Sequence, residues 1–207
     1  MRYSVVLWDF DGTLADTLKL ALRVYNEMAA EKGFRPITDP HAVRDMSMGQ
    51  FLKSHCIAAH RVPFAFARVL KAIKAEAANV RLNEGIKSTL TALKAAGIRQ
   101  CVVSSNATEN IERCVAANQV ADVFEFICGT SRILGKARSI QSAIKDLQVS
   151  ASEALYVGDE IRDIEAAETA KIDVAAVTWG LNSENALRAK KPTWLVSHPS
   201  ELLKSIE

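Results

Sequence analysis

With 207 residues, 49% hydrophobic and 24% charged, the chain suits one compact domain, or one with a modest insertion, whose core needs no disulfide or metal staple. A net charge of +2, with basic residues scattered among acids, offers no footprint for nucleic acid. No apolar run reaches the roughly 18 residues of a membrane span, and the N-terminal run is too short for a signal peptide, so the expectation is a cytoplasmic protein with no membrane or nucleic-acid partner.

The first predicted element is a strand, Tyr3 to Phe10, a continuous apolar and β-branched run that breaks at Gly12. From Asp16 to Val80 the patterning is helical only. Thr17 to Glu31 reads as one helix with Gly33 past its end, and His41 to His60 and Pro63 to Ala78 read as two more. A helix follows over Glu84 to Ala96, stopped by Gly97, then a strand over Ile98 to Val103. Helix and strand alternate from there: Glu109 to Asn118, Val123 to Cys128, Ala137 to Leu147, Ala154 to Val157, Asp163 to Ala170 and Ile172 to Val177, with a weaker strand at Thr193 to Val196. This order predicts an α/β fold, a Rossmann-like parallel sheet with helices on both faces and an inserted helical cap. The expected division is a core of residues 1–15 and 81–207 and a cap of residues 16–80.

Open parallel sheets bind ligands at the carboxyl ends of their strands, so the residues just after each apolar run matter most. Asp9-Phe10-Asp11-Gly12-Thr13 follows the first strand and sets two carboxylates two residues apart, pointing the same way if the segment is extended. Ser104-Ser105-Asn106 follows the second, with short side chains able to bond phosphate oxygens. Cys128-Gly129-Thr130 and then Gly135-Lys136 follow the third, and Gly158-Asp159-Glu160-Ile161-Arg162-Asp163 the fourth. Each has a plainer reading as a turn, a helix cap or a solvated lysine. Parallel strands would nevertheless bring all four groups to one edge of the sheet, which sets the combination apart from any member.

In these four motifs the sequence resembles the haloacid dehalogenase-like superfamily of phosphohydrolases, over nearly the whole chain. It is most similar to the phosphoglycolate phosphatase-like branch, which carries a helical cap. DFDGT at Asp9 to Thr13, Ser104, Lys136, and Gly158-Asp159 with Asp163 match the four family motifs in order. The resemblance implies Asp9 as nucleophile, passing through an aspartyl-phosphate, and Asp11 as general acid and then base. It implies Ser104 and Lys136 on the phosphoryl oxygens, with Lys136 also orienting Asp9. Mg²⁺ is the implied cofactor, because a carboxylate approaches an anionic phosphoryl group only if positive charge intervenes. Its ligands would be Asp9, the backbone carbonyl of Asp11, and Asp159, with Asp163 supporting from behind. Thr13, Ser105 and Asn106 are lesser candidate substrate contacts.

The family's dehalogenases lack the second aspartate, so Asp11 points to phosphatases and phosphomutases. Glu160 departs from the serine or threonine of many relatives and is not assigned as a ligand. In the cap, Val43 to Leu52 is the segment expected to face the site, with Arg44 gripping a second anionic group on the substrate and Gly49 permitting close approach. Lys53 and His55 are weaker candidates. His41, His60 and His198 read as surface residues, and Trp8 as core. Cys56, Cys101, Cys114 and Cys128 lack metal-ligand spacing and read as small buried hydrophobes of a reducing compartment.

The leading expectation is therefore a Mg²⁺-dependent phosphatase acting on a small phosphomonoester, phosphoglycolate by branch resemblance, as a monomer or weak homodimer. A β-phosphoglucomutase-type phosphomutase and a pyrophosphatase are the alternatives, and a non-catalytic binding protein comes last.

Overall fold

The computed structural model describes residues 2–129 and 135–206. Six parallel strands form one sheet in the order β3-β2-β1-β4-β5-β6. They are β1 (Val5–Trp8), β2 (Arg99–Ser104), β3 (Phe126–Gly129), β4 (Ala154–Gly158), β5 (Asp173–Val177) and β6 (Trp194–Val196). The α/β, all-parallel expectation holds. β1 lies at the centre between β2 and β4, with Val5 to Trp8 in register against Arg99 to Val102 on one side and Ala154 to Val157 on the other.

A central parallel strand is covered on both faces, which is why β1 is apolar at every position. Val6 and Trp8 face a cluster that includes Ile86, Leu90 and Leu93 of α4 (Ile86–Ala95) and Ile111 and Val115 of α5 (Thr108–Ala117). Val5 and Leu7 face the opposite cluster, built on Ile140 and Leu147 of α6 (Lys136–Leu147) and Ile164 and Ala167 of α7 (Ile161–Ala170). Each such side chain, once fully buried, contributes about 1.5–3 kcal/mol relative to exposure. Trp8 is buried in the core as expected.

Between β1 and β2 run α1 (Thr17–Lys32), α2 (Met48–Ser54) and α3 (Val62–Glu76). The outgoing and returning chains lie side by side. Asp16 N–H donates to the Arg81 carbonyl and Asn83 N–H to the Leu14 carbonyl, both at 2.9 Å. Tyr25 and Ala29 of α1 pack with Phe34 and Ile57 in a small core of their own.

The single helix expected over His41 to His60 is not formed. That stretch is a 3₁₀ turn (His41–Val43), the short α2 and a second 3₁₀ turn (Ala59–Arg61). Ser47 and Gln50 form a capping box that starts a new helix, and Cys56 adopts φ 59°, which ends it. Two short C-terminal helices, α8 (Glu184–Ala189) and α9 (Leu202–Ile206), complete the chain. Among the described residues no helix is long and apolar enough to cross a membrane.

Two readings of individual residues need correction. Cys101 and Cys114 are buried, but Cys56 is exposed and Cys128 half-buried. His55 is buried, stacked on Phe51 with ring centroids 4.4 Å apart and edge-on to Tyr25, so it is packed away from any substrate. His41, His60 and His198 lie on the surface.

Candidate active site

The chain winds outward from β1 through β2 and β3, then returns to lay β4 on the other side of β1. The crossovers leave this point in opposite directions, and open parallel sheets bind ligands at such a switch point, outside the carboxyl ends of the two strands. Asp9 follows β1 and Asp159 follows β4. Asp163 sits in the first turn of α7, and Lys136 opens α6. The side chains of Asp9, Asp159 and Asp163 each offer an oxygen within 4.8 Å of the others, and all three residues are buried. Lys136 Nζ lies between two of them, 3.0 Å from Asp9 Oδ2 and 2.5 Å from Asp163 Oδ1.

Burial works to lower the Lys136 pKa, but the carboxylates of Asp9 and Asp163 beside it outweigh that and hold the ammonium charged. Tyr156 is a neighbour of Lys136 that sequence reasoning missed, since it reads only as strand core. Its ring lies 5.7 Å from Lys136 Nζ, and its hydroxyl donates to the Val103 carbonyl at 2.9 Å. Removing Lys136 would leave the buried carboxylates without their cation. Lys136→Met is therefore expected to destabilise the metal-free protein by about 3 kcal/mol or more, read as a lower urea midpoint near neutral pH. An unchanged midpoint would show that the ammonium is not needed to hold this cluster.

Asp159 is held on both oxygens. Thr13 Oγ1 donates to Oδ1 at 2.6 Å and the Leu181 N–H to Oδ2 at 2.6 Å. Gly12, at φ 77°, lies so close that a Cβ there would stand 2.5 Å from Asp159 Oδ2. Burial, then the charges of Asp9 and Asp163, push the Asp159 pKa well above the usual carboxylate range. Asp163 is pushed up as well, first by burial and then by Asp9. Its Oδ1 is on Lys136 and its Oδ2 accepts the Glu160 N–H at 3.0 Å, so both oxygens are engaged.

Asp11 lies apart from the three clustered carboxylates. Asn106 Nδ2 donates to both its oxygens, at 3.1 and 3.0 Å. Crowding by surrounding protein atoms, then the negative charge of Asp9, pushes its pKa up to about 6. A carboxyl so placed carries its proton far more readily near neutral pH than an ordinary aspartate.

The remaining expected contacts divide. Ser104 is buried at the end of β2, its Oγ accepting the Asn106 N–H at 3.3 Å. Ser105 beside it is half-buried. Asn106, expected to touch substrate, grips Asp11, and its Oδ1 accepts the Ala107 N–H at 2.7 Å and Asn110 Nδ2 at 2.9 Å. Thr13, expected likewise, is fully buried behind Asp159 with its hydroxyl already engaged. Arg44 reaches the core, where Nη1 and Nη2 make long contacts of 3.4 and 3.5 Å to the Thr178 and Trp179 carbonyls. Around Gly49 nothing lies within 4 Å of a would-be Cβ, so no contact within the protein requires its missing side chain. Glu160 pairs with Arg162 at 2.5 Å. Thr130 lies outside the described residues.

The donor set suits a hard divalent cation. Three buried carboxylates face one buried ammonium, which leaves the cluster short of positive charge. Asp9 Oδ1 is buried with no hydrogen-bond partner among the described residues. A buried carboxylate oxygen without a donor is costly unless a cation meets it.

The profile of the haloacid dehalogenase-like hydrolase family matches residues 6–177. A phosphoglycolate phosphatase from Synechococcus elongatus is 30% identical over 209 residues, covering 98% of this chain and 97% of that protein. An N-acetylmuramic acid 6-phosphate phosphatase from Pseudomonas aeruginosa is 27% identical, covering 100% of this chain and 96% of that protein. Among solved structures, a haloacid dehalogenase-like family hydrolase from Streptococcus pneumoniae superposes with a TM-score of 0.82 at 21% identity, covering 100% of this chain and 99% of that one. That last likeness is one of fold, whereas the family match spans β1 to β5 and the carboxyl-edge residues Asp9, Asp11, Lys136, Asp159 and Asp163. The chain belongs to the haloacid dehalogenase-like hydrolase family.

Proposed function

We propose that the protein is a Mg²⁺-dependent phosphatase that hydrolyses a small phosphomonoester through an aspartyl-phosphate on Asp9. The observation that carries this reading is the state of Asp9 itself. One oxygen is held by Lys136, and the other is buried with no hydrogen-bond partner among the described residues. A carboxylate fixed in this way is poised as a nucleophile.

In the first half-reaction an Asp9 oxygen attacks phosphorus and the bond to the substrate alcohol breaks. Asp11 gives its proton to the departing oxygen, and Asn106 holds it in place to do so. In the second half-reaction Asp11, now ionised, takes a proton from the attacking water, inorganic phosphate leaves and Asp9 is restored. Lys136 and Ser104 hold the phosphoryl oxygens. Asp9, Asp159 and the Asp11 carbonyl would hold Mg²⁺, with Asp163 steadying Lys136 from behind. Bound there, Mg²⁺ supplies the positive charge that lets a carboxylate approach an anionic phosphoryl group.

Residues 16–80 act in this reading as a cap that excludes water during transfer. Arg44 is the candidate for a second anionic group, since its present partners are neutral carbonyls at long range, and a substrate carboxylate would bind it more strongly. A phosphoglycolate-like substrate fits that pairing, and the Synechococcus elongatus relative is a phosphoglycolate phosphatase. The proposed compartment is the cytoplasm, in keeping with four unpaired cysteines.

The test is a phosphate-release screen across small phosphomonoesters and pyrophosphate, with and without Mg²⁺. Mg²⁺-dependent release, strongest for a short phosphorylated carboxylic acid and weakened in KM by Arg44→Gln, is the expected result. Isomerisation of a sugar phosphate without phosphate release would replace this reading with the mutase one.

A further inference from the structure

The turn after β5, residues 178–182, carries no acid, base or nucleophile, yet it touches three sides of the site. The Trp179 indole Nε1–H donates to the Thr13 carbonyl at 3.0 Å. The Leu181 N–H donates to Asp159 Oδ2 at 2.6 Å. Asn182 Oδ1 accepts the Ile161 N–H at 2.9 Å, so the same turn caps α7. Between Trp179 and Leu181, Gly180 lies against the Asp159 side chain, where a Cβ would stand 2.1 Å from the Asp159 Cβ. No other residue fits there without displacing the carboxylate. From the opposite side Thr13 Oγ1 holds Oδ1, and the Thr13 backbone is itself anchored by the Trp179 indole. Asp159 is thus gripped by two turns that also grip each other. Arg44 rests on the outer carbonyls of this turn, so the helical segment leans on the element that aims Asp159.

We propose that the Trp179-Gly180-Leu181 turn is a positioning element that fixes the Asp159 carboxylate for a divalent cation, with Trp179 as its key side chain. This rests on Asp159 being a Mg²⁺-holding residue. Supporting groups behind a ligand commonly set metal affinity by 10- to 100-fold, because they fix the ligand's direction before the ion arrives.

Trp179→Phe is the gentler probe, trimming the ring as well as removing the N–H. It keeps an aromatic ring and removes one N–H, and the Thr13 carbonyl retains its second donor, Asn83 Nδ2 at 3.0 Å. The measurement is Mg²⁺ affinity by calorimetry on the full chain without substrate, beside the urea midpoint of the metal-free protein. Trp179→Phe is expected to weaken Mg²⁺ binding about 10-fold and Gly180→Ala about 100-fold. The Trp179→Phe urea midpoint should stay near wild type, and saturating Mg²⁺ should restore its kcat. If Gly180→Ala does not fold, Trp179→Phe alone decides. Wild-type affinity in Trp179→Phe, whether or not its urea midpoint falls, overturns the proposal and leaves the turn merely structural. Absence of Mg²⁺ uptake by the wild-type protein overturns both this proposal and the cofactor reading beneath it.

Discussion

Asp9→Asn is expected to lower kcat by a factor on the order of 10⁴ or more while the protein folds as well as before. The amide keeps the shape of the carboxyl but is a poor nucleophile toward phosphorus. The expectation for stability runs the other way. Asp9 is the recurrent negative neighbour of this site, raising the pKa of Asp11, Asp159 and Asp163 alike. Removing its charge relieves repulsion among buried carboxylates, so the metal-free variant should match or exceed wild type in urea midpoint. Together the two readouts separate chemistry from folding. Activity within about 10-fold of wild type would exclude Asp9 as nucleophile, and a lost fold would show that its charge is structurally required.

Asp11→Asn is expected to slow phosphoryl transfer from an alkyl phosphate by about 10²- to 10⁴-fold, the usual worth of a positioned general acid. Its signature lies in the dependence on leaving group. An alkoxide needs a proton to depart, whereas a nitrophenolate does not. With p-nitrophenyl phosphate the first step should therefore keep within about 10-fold of wild type. Turnover should then stall, because water must attack the aspartyl-phosphate without a base. Rapid mixing should show a burst of nitrophenol near one equivalent per site, followed by a slow steady state. Equal losses with both substrates and no burst would assign Asp11 a role other than proton transfer.

Much of this architecture is legible in the sequence because its causes are local. Strands covered on both faces are largely continuous apolar runs, so VVLW, CVV and ALYV announce themselves, and parallel topology sends the residues after each strand to one edge of the sheet. Asp9, Ser104, Lys136 and Asp159 are picked out that way, by position as much as by type, and folding brings Asp9, Lys136 and Asp159 together. What the chain alone does not show is a partner set by a distant neighbour. Thr13 and Asn106 look like phosphate contacts in the chain, but folding brings Thr13 behind Asp159 and Asn106 onto Asp11, and both side chains are committed there. The turn around Gly180 leaves no signal in the sequence, because it acts through a backbone N–H, an indole N–H and the absence of a side chain. Tyr156 is hidden as strand core, its hydroxyl and ring acting on partners from other strands and helices. The broken helix over 41–60 does carry a local signal, since Ser47 and Gln50 have the capping-box spacing that starts α2. Helices α8 and α9 escape a sequence reading because six and five residues are too few for a periodic pattern to show.

The most direct measurement is acid quench of the protein during turnover of its best phosphomonoester, followed by mass analysis of its peptides. One added phosphoryl group is expected on the peptide carrying Asp9, labile to hydroxylamine as an acyl phosphate must be, and absent in Asp9→Asn. Sustained phosphate release with no phosphoryl group on that peptide, or with the group on another residue, would contradict an aspartyl-phosphate on Asp9.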